Sequence, residues 1–482
     1  AMRVWAARML KRISALLAVA VVVLLAIRIY DSQRGQPLEP WHKYVPEELS
    51  VEEIDKDGWA EYLEAEAVLF DTVRAEVTQK LPPEDRIPVN RYFDGSPIYP
   101  GHFSQDWNRS YEIEPDGPVR GAVVLLHGLT DSPYSLRHIA RRYRDHGFVS
   151  IAIRLPGHGT VPAGLTDIEW EHWMAATRLA VREARRWAGP ELPVHLVGFS
   201  NGGALAMMYV LDALDDDQLT RPERIVLISP MIGVTAFARF AGLPAIFPAF
   251  AKASWLSVLP EFNPFKYNSF PINGARQSHL LTAALQQKIA AHASDNHLTE
   301  LPPIITFQSV MDFTVSTRAI VSALYAHLPS NGSELVLFDV NRNTKFGPLL
   351  SSASDTMLAR ILPDPPRRFR TTIITNASPD SPDVVERVVE AGAATESVRD
   401  LDLSYPIDVY SLSHVAIPFP TSDSLYGLHP DPADDFGIKL GALAARGERG
   451  ALIVSMDSLL RMSSNPFFPY LIGRIEEKLM SD

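Results

Sequence analysis

Hydrophobic positions after residue 120 form short uninterrupted runs, separated by stretches in which apolar residues recur every three or four positions. Runs such as A-V-V-L-L and R-I-V-L-I are typical of strands buried on both faces, and the stretches between them indicate amphipathic helices. This alternation predicts a doubly wound, mostly parallel α/β sheet. The predicted strands are 121–127, 148–154, 194–199, 224–229, 304–308, 334–340, 371–375 and 406–412, and the predicted helices are 132–146, 169–187, 202–214, 317–327, 384–394 and 467–480.

The N-terminal part contains the most uniform apolar stretch of the chain. From Ile13 to Ile27 the only polar residue is Ser14, and extension to Tyr30 gives a helix of about 27 Å, close to the thickness of a bilayer core. More basic residues precede this stretch than follow it closely, which favours an inside N-terminus. We therefore expect a single-pass membrane anchor with an extracytoplasmic main domain, periplasmic in a Gram-negative bacterium. A cleaved signal peptide and a buried core helix are the alternatives.

The remaining pattern divides the chain into further segments. Residues 58–80 have apolar positions at helical spacing and form an amphipathic helix that packs on the main domain or lies on a bilayer. Residues 231–300 are rich in Phe, Leu, Ile, Trp and Pro without strand alternation. The predicted division is an anchor at 1–30, a tether with the amphipathic helix at 31–89, core segments at 90–230, 301–340 and 406–482, a cap at 231–300 and an additional insertion at 341–405.

Composition and charge exclude several classes of protein. The 482 residues include no Cys, which rules out disulfide scaffolds, thiolate metal sites and cysteine nucleophiles. A hydrophobic content of 46% is that of a chain with a large core. The formal net charge of -12 argues against a nucleic-acid partner, because nucleic-acid-binding proteins usually carry a basic patch.

The segment Gly198-Phe-Ser-Asn-Gly202 carries the candidate nucleophile. It lies between a predicted buried strand and a helix rich in small residues. A serine on a sharp strand-to-helix turn needs glycines around it, because larger side chains would clash there. Ser200 would then stand at a helix N-terminus, whose dipole favours developing negative charge. The alternative is an ordinary glycine-rich turn.

A nucleophilic serine requires a general base and an acid that orients it. His414 follows a predicted strand on a loop, whereas His327 falls within a predicted helix and His429 lies in an acidic loop. We therefore predict His414 as the base. Asp312 follows the strand at 304–308 and is the predicted acid, with Asp380 and Asp383 as rivals.

The segment from Leu125 to Thr130 ends the strand before the first core helix. The backbone N–H groups of Leu129 and Asn201 are predicted to hold an oxyanion there. His127 and His158 are interpreted as residues that brace the loops rather than titrate in the reaction.

These motifs resemble the α/β-hydrolase superfamily, specifically the serine hydrolases grouped with monoacylglycerol lipases, lysophospholipases and the serine-aminopeptidase-like clan. The resemblance covers about 90–340 and 405–482. It implies an α/β-hydrolase fold, with residues 231–300 at the place where the family inserts a helical cap, and it requires no metal or cofactor. The residues that carry it, in the order Ser…Asp…His, are His127-Gly128, Leu155-Pro-Gly-His-Gly159, Gly198-Phe-Ser-Asn-Gly202, Asp312 and His414.

The resemblance implies Ser200 as nucleophile, Asp312 as acid, His414 as base and the Leu129 and Asn201 amides as oxyanion hole. One departure is the distance along the chain between the acid and the base, which exceeds the few tens of residues usual in the family. Either 341–405 is an insertion or another residue is the acid.

The expected function is hydrolysis of a carboxylic ester through an acyl-enzyme. The apolar cap and the predicted anchor favour a lipidic substrate such as a lysophospholipid, a monoacylglycerol or a medium-chain ester. A serine aminopeptidase or amidase on the same fold is one alternative. A catalytically silent hydrolase fold used for binding is the other.

Overall fold

The computed structural model describes residues 9, 11–23, 26, 36–233, 254–448 and 451–480. Its centre is a ten-stranded sheet. The strands at 121–126, 148–153 and 194–199 are buried along their whole length, as expected for strands covered by helices on both faces. The prediction of an α/β-hydrolase fold with a large, mostly parallel sheet is confirmed.

The central strands of the sheet run parallel to one another, and the outer strands pair antiparallel. The order is β1-β3-β2-β4-β5-β8-β9-β10-β11-β12, and the pairs from β3 to β10 are parallel. Strands β1, β11 and β12 pair antiparallel to their neighbours. The strands, numbered along the chain, are β1 Tyr111–Ile113, β2 Gly121–Leu126, β3 Phe148–Ile153, β4 Val194–Phe199, β5 Arg224–Ile228, β6 Trp255–Ser257, β7 Phe270–Pro271, β8 Ile304–Ser309, β9 Glu334–Phe338, β10 Arg370–Asn376, β11 Asp383–Val389 and β12 Ser397–Ser404.

The helices pack on the two faces of this sheet. The long helices carry continuous apolar stripes, and their buried residues join the strands in two large hydrophobic clusters. The helices are α1 Pro40–Lys43, α2 Val51–Lys56, α3 Trp59–Glu76, α4 Arg137–Asp145, α5 Trp170–Ala188, α6 Asn201–Asp215, α7 Ile272–Ser294, α8 Thr317–Ala319, α9 Ser352–Asp355, α10 Met357–Ile361, α11 Met456–Arg461 and α12 Phe468–Leu479.

Two of the predicted elements after residue 380 are wrong. Residues 383–389 form a strand, β11, where a helix at 384–394 was expected. The segment is rich in valine, and β-branched side chains favour the pleated backbone of a strand. Residues 406–412 are irregular rather than a strand. Strands β10, β11 and β12 instead extend the main sheet beyond β9, so much of the segment 341–405 continues the sheet.

The predicted membrane anchor requires a correction. Among the described residues, no helix combines the length and the apolar character that crossing a bilayer requires. The N-terminal transmembrane helix from Ile13 to Tyr30 is therefore wrong, and so is the single-pass localisation based on it. Contact of this stretch with a lipid bilayer stays a prediction. Residues 24, 25 and 27–30 of that stretch lie outside the described residues.

Residues 36–80 pack on the main domain, as the amphipathic pattern of 58–80 suggested. Helix α3 buries Trp59, Tyr62, Leu69 and Val73. The Tyr62 hydroxyl donates a 2.7 Å hydrogen bond to the carbonyl oxygen of Arg154, at the end of β3. Burial of this apolar face replaces water contact with protein contact and stabilises the fold.

A buried ion cluster ties this N-terminal segment to the loop after β3. The Arg154 guanidinium donates to both carboxylate oxygens of Glu48, at 2.8 and 2.9 Å, and to Glu66 at 3.1 Å. Glu48 also accepts the backbone N–H of Gly157 at 2.7 Å. Because a bidentate pair fixes the orientation of both partners, the cluster sets the position of the 155–159 loop.

The described part of the predicted cap consists of a short hairpin and one long helix. Strands β6 and β7 pair antiparallel, and helix α7 follows directly. The aromatic and aliphatic positions predicted between Phe237 and Phe250 lie outside the described residues.

Candidate active site

Ser200 lies on a sharp turn between β4 and α6. Its backbone has φ 54° and ψ -116°, a left-handed conformation that L residues rarely adopt. A Cβ atom on Gly202 would lie 2.0 Å from the carbonyl oxygen of Leu126, and one on Gly198 would lie 2.4 Å from that of Gly202. Glycine is therefore required at both positions, because the backbone segments approach too closely for any side chain.

Ser200, His414 and Asp312 form one chain of hydrogen bonds. His414 Nε2 lies 2.9 Å from Ser200 Oγ, and His414 Nδ1 lies 2.8 Å from Asp312 Oδ2. Ser200 is 5% exposed and His414 is 6% exposed. The structure thus brings together the three predicted side chains although 102 positions separate the acid from the base.

The surroundings of Asp312 favour its ionised form. Burial alone would raise the pKa of this carboxyl, but the charge of His414, its hydrogen bond and the amides of Thr314 and Val315 outweigh burial and lower the pKa below its ordinary value. Those amides donate to Oδ1 at 2.7 and 3.0 Å. A carboxylate held by such bonds keeps its charge and can orient an imidazole.

The rival residues lie elsewhere. Asp383 begins β11 and accepts a hydrogen bond from the Ser381 hydroxyl, and Asp380 is exposed in the turn before it. His327 and His429 are also exposed. Hydrogen bonds to Ser200 from these four residues are absent in the described part of the chain.

The predicted oxyanion donors belong to two residues close to Ser200. The backbone N–H groups of Leu129 and Asn201 have no hydrogen-bond acceptor among the described residues. Asn201 is the first residue of helix α6, where N–H groups lack partners within the helix and the dipole favours negative charge. Both amides are thus available to a developing oxyanion.

His127 and His158 brace the neighbouring loops. Nε2 of His127 accepts the Leu155 N–H at 3.1 Å, and the two imidazole rings meet edge to face at 5.0 Å between centroids. Burial lowers the pKa of His127 well below its ordinary value and that of His158 to about 4. Both rings are therefore neutral at pH 7.

A cavity of about 490 Å³ opens beside Ser200. Most of its wall is apolar, and the segment predicted as a cap supplies part of it. Polar and charged side chains from three loops face the same space. The apolar lining includes Leu129, Phe199, Met231, Leu259, Phe262, Phe270, Val415, Val454 and Met462, and the charged lining is Asp131, Lys266, Asp457 and Arg461.

The sequence interpretation missed several residues at this site. Gln308 donates to Asp312 Oδ2 at 3.1 Å and to the Thr317 hydroxyl at 2.9 Å. The one signal in the sequence was its position near the end of β8, four residues before Asp312. Lys266 and Arg461 carried no motif, because their positions depend on loop packing.

One cluster of potential metal ligands lies outside this cavity. Ligand atoms of Asp215, His292 and His297 lie within 4.8 Å of one another. The Lys288 ammonium is 3.0 Å from the Asp215 carboxylate, and His292 Nε2 is 2.9 Å from it. Because a lysine already neutralises this carboxylate, we assign no metal to the cluster.

Part of the chain matches the model of a known protein family. The model of the family described as serine aminopeptidase, S33, matches residues 117–339, which include the Ser200 turn and Asp312. This match, together with the Asp312–His414–Ser200 geometry, supports an α/β-hydrolase serine hydrolase. The matched range ends before β10 and His414.

Individual relatives match shorter parts. A thermostable monoacylglycerol lipase of Bacillus sp. (strain H-257) is 32% identical over 93 residues, which are 19% of this chain and 35% of that lipase. The chain thus matches about a third of the length of that relative. Among solved structures, the metagenome-derived lipolytic enzymes LipS and LipT match with a TM-score of 0.39 and 20% identity over 48% of this chain and 88% of theirs. A monoglyceride lipase from Saccharomyces cerevisiae matches with a TM-score of 0.36 and 14% identity over 47% and 81%.

Proposed function

We propose that this chain hydrolyses carboxylic esters, with Ser200 as nucleophile, His414 as general base and Asp312 as the acid that orients it. The observation that carries the proposal is the continuous hydrogen-bonded chain Asp312–His414–Ser200 at the wall of an apolar cavity. The names of lipolytic relatives support the same reaction class.

The first half of the reaction forms an acyl-enzyme. With the Nδ1 proton facing Asp312, Nε2 of His414 accepts the Ser200 proton as Oγ bonds to the ester carbonyl carbon. The tetrahedral oxyanion accepts hydrogen bonds from the Leu129 and Asn201 amides. His414 then gives the proton to the leaving alkoxide, and the C–O bond of the ester breaks.

The second half regenerates the serine. Water attacks the acyl carbon, and His414 takes a proton from it. The intermediate collapses, Ser200 Oγ regains the proton from His414, and the carboxylic acid leaves. Asp312 keeps its charge throughout and stabilises the imidazolium of both half-reactions.

The apolar wall of the cavity supports a hydrophobic ester as substrate. Phe199, Phe262 and Phe270 border the space beside Ser200, and burial of a methylene group against such a wall contributes about 0.8 kcal/mol. A monoacylglycerol, a lysophospholipid or a medium-chain ester has a chain that gains from this contact.

Amide hydrolysis is the second candidate. The matching family is described as serine aminopeptidase, and the Asp131 carboxylate in the cavity wall offers a counter-charge for an amine. Lys266 borders the same cavity and disfavours a second cation there.

A panel of 4-nitrophenyl esters of increasing chain length, run beside aminoacyl 4-nitroanilides, tests the proposal. We expect ester turnover with a higher kcat/KM for medium chains than for acetate, and its loss in Ser200→Ala. Faster turnover of the anilides would favour the aminopeptidase. No turnover of either class would favour the catalytically silent fold.

A further inference from the structure

Lys266 lies in the wall of the cavity without a hydrogen bond or ion pair among the described residues, although its ammonium offers three donors. The backbone on both sides of it is fixed against the loop that carries the Leu129 amide. The Ser132 hydroxyl donates to the Phe265 carbonyl oxygen at 2.8 Å, and the Tyr267 N–H donates to the Thr130 carbonyl oxygen at 2.8 Å. The backbone of Lys266 is thus held beside the loop that carries the Leu129 amide.

The neighbouring side chains strengthen this placement. The Phe265 ring stacks on Tyr134 with 4.2 Å between ring centroids and an interplanar angle of 11°. Phe265 is 1% exposed and Tyr267 is 3% exposed. Because both neighbours of Lys266 are packed in the core, the backbone of Lys266 is fixed at the cavity wall.

A second cation borders the same cavity. Arg461, the last residue of α11, donates to the Thr314 hydroxyl at 2.6 Å and makes no ion pair among the described residues. Burial lowers the pKa of Lys266, the Asp131 carboxylate opposes that shift, and the positive charge of Arg461 adds a smaller lowering. Two cations within electrostatic range of each other gain from an anion placed between them.

The carboxylates of Asp457 and Asp131 also border the cavity, and Asp131 only partly supplies the negative charge. Its Oδ1 accepts the Ser132 N–H at 2.9 Å, and no contact within 4.0 Å joins it to Lys266 in the described structure. Burial raises the pKa of Asp131 to about 6. The carboxylate therefore leaves the donors of the Lys266 ammonium open.

We propose that Lys266 and Arg461 form an anion-binding subsite beside Ser200, and that the ester cleaved here carries a carboxylate or a phosphate group that this subsite binds. The inference rests on the proposed ester hydrolysis and narrows its substrate class. The apolar wall binds the chain, and the two cations bind the charged group of the same molecule.

Matched pairs of substrates test the subsite. The carboxylate pair is mono(4-nitrophenyl) glutarate and 4-nitrophenyl pentanoate, which have acyl chains of equal length. The phosphate pair is 1-lauroylglycerol 3-phosphate and 1-lauroylglycerol. The measured quantity is the ratio of kcat/KM for the anionic ester to that for its neutral partner, and the pair with the higher ratio identifies the anion.

The variants are Lys266→Met, Lys266→Arg and, as matched control, Lys439→Met, which removes an exposed lysine outside the cavity. We expect the wild-type ratio to exceed one for at least one pair, to fall about tenfold in Lys266→Met, as for loss of one charge-assisted hydrogen bond, and to recover in Lys266→Arg. The control keeps the wild-type ratio.

A wild-type ratio below one for both pairs would overturn the subsite, and so would a ratio that Lys266→Met leaves unchanged. In either case, turnover of the neutral esters would leave ester hydrolysis in place. Absence of turnover for all four esters, with no labelling of Ser200 by a fluorophosphonate, would overturn the proposed function itself.

Discussion

One carboxylate oxygen of Asp312, Oδ2, accepts hydrogen bonds both from the side-chain amide of Gln308 and from His414. The two distances are 3.1 Å from Gln308 Nε2 and 2.8 Å from His414 Nδ1. The Thr317 hydroxyl accepts from the same Nε2 at 2.9 Å. Gln308 is fully buried, so this contact fixes the rotamer of Asp312 and, through it, the position of the imidazole.

We predict that Gln308→Met lowers kcat about tenfold, the cost of one hydrogen bond to a charged group, and leaves KM nearly constant. Steady-state kinetics measure both parameters. Gln287→Met, which changes an exposed glutamine on α7, is the control, and an equal change in both variants would contradict the positioning role.

Replacement of the candidate acids separates their roles. Asp312→Asn should lower kcat by about 10⁴-fold, as expected when the imidazole loses the partner that holds its tautomer. Asp380→Asn should stay within about twofold of wild type, because Asp380 is exposed in a turn. A large loss in Asp380→Asn together with a small one in Asp312→Asn would reverse the assignment.

The sequence predicted the parts of the site that depend on local pattern. The glycines around Ser200 indicate that backbone segments approach each other closely there. The carboxyl ends of buried parallel strands lie at the same end of a sheet, so the sequence predicts that Ser200 and Asp312 lie close together. The position of Lys266 could not be predicted, because it follows from contacts between Phe265 and a loop 133 residues earlier in the chain.

The elements that the sequence predicted wrongly also have physical explanations. A run of valines after Asp383 has the spacing of either a strand or a short helix, and pairing with β10 decides between them. The apolar stretch after Ile13 was interpreted as a membrane anchor from length and hydropathy alone. Strands β10 to β12 explain why the acid and the base are so far apart along the chain, since the additional residues extend the sheet rather than intervene between the two side chains.

The ion cluster of Arg154, Glu48 and Glu66 beside the 155–159 loop should stabilise the folded protein. Glu66→Gln should lower the free energy of unfolding by about 3 kcal/mol, because Arg154 loses one of its charged partners in a buried setting. Glu66 also accepts the Ser110 N–H at 2.9 Å and its hydroxyl at 2.7 Å. Urea denaturation measures the loss.

Glu64→Gln is the matched control for that experiment, since Glu64 lies on the same helix and is exposed. It should change the free energy of unfolding by less than about 0.5 kcal/mol. Equal effects of the two substitutions would contradict a structural role for the cluster.

The buried His158 should make the free energy of unfolding depend on pH in the acid range. Burial lowers its pKa from 6.5 to about 4, so between those pH values the unfolded chain binds a proton that the folded chain does not. Folding stability therefore falls as the pH drops from 6.5 toward 4, by up to about 3 kcal/mol from this group. His158→Gln should be less stable than wild type at pH 7 and should lose less stability between pH 7 and pH 5. Urea denaturation at both values checks this, and an equal loss in the two proteins would show that His158 titrates normally.

The central claim is that Ser200 is the nucleophile. Reaction of the purified protein with a fluorophosphonate, followed by intact mass measurement and peptide mapping, tests it most directly. The account predicts a single adduct on the peptide that contains Ser200, no adduct in Ser200→Ala, and much slower labelling in His414→Ala. An unlabelled wild-type protein, or a label that persists in Ser200→Ala, would contradict it.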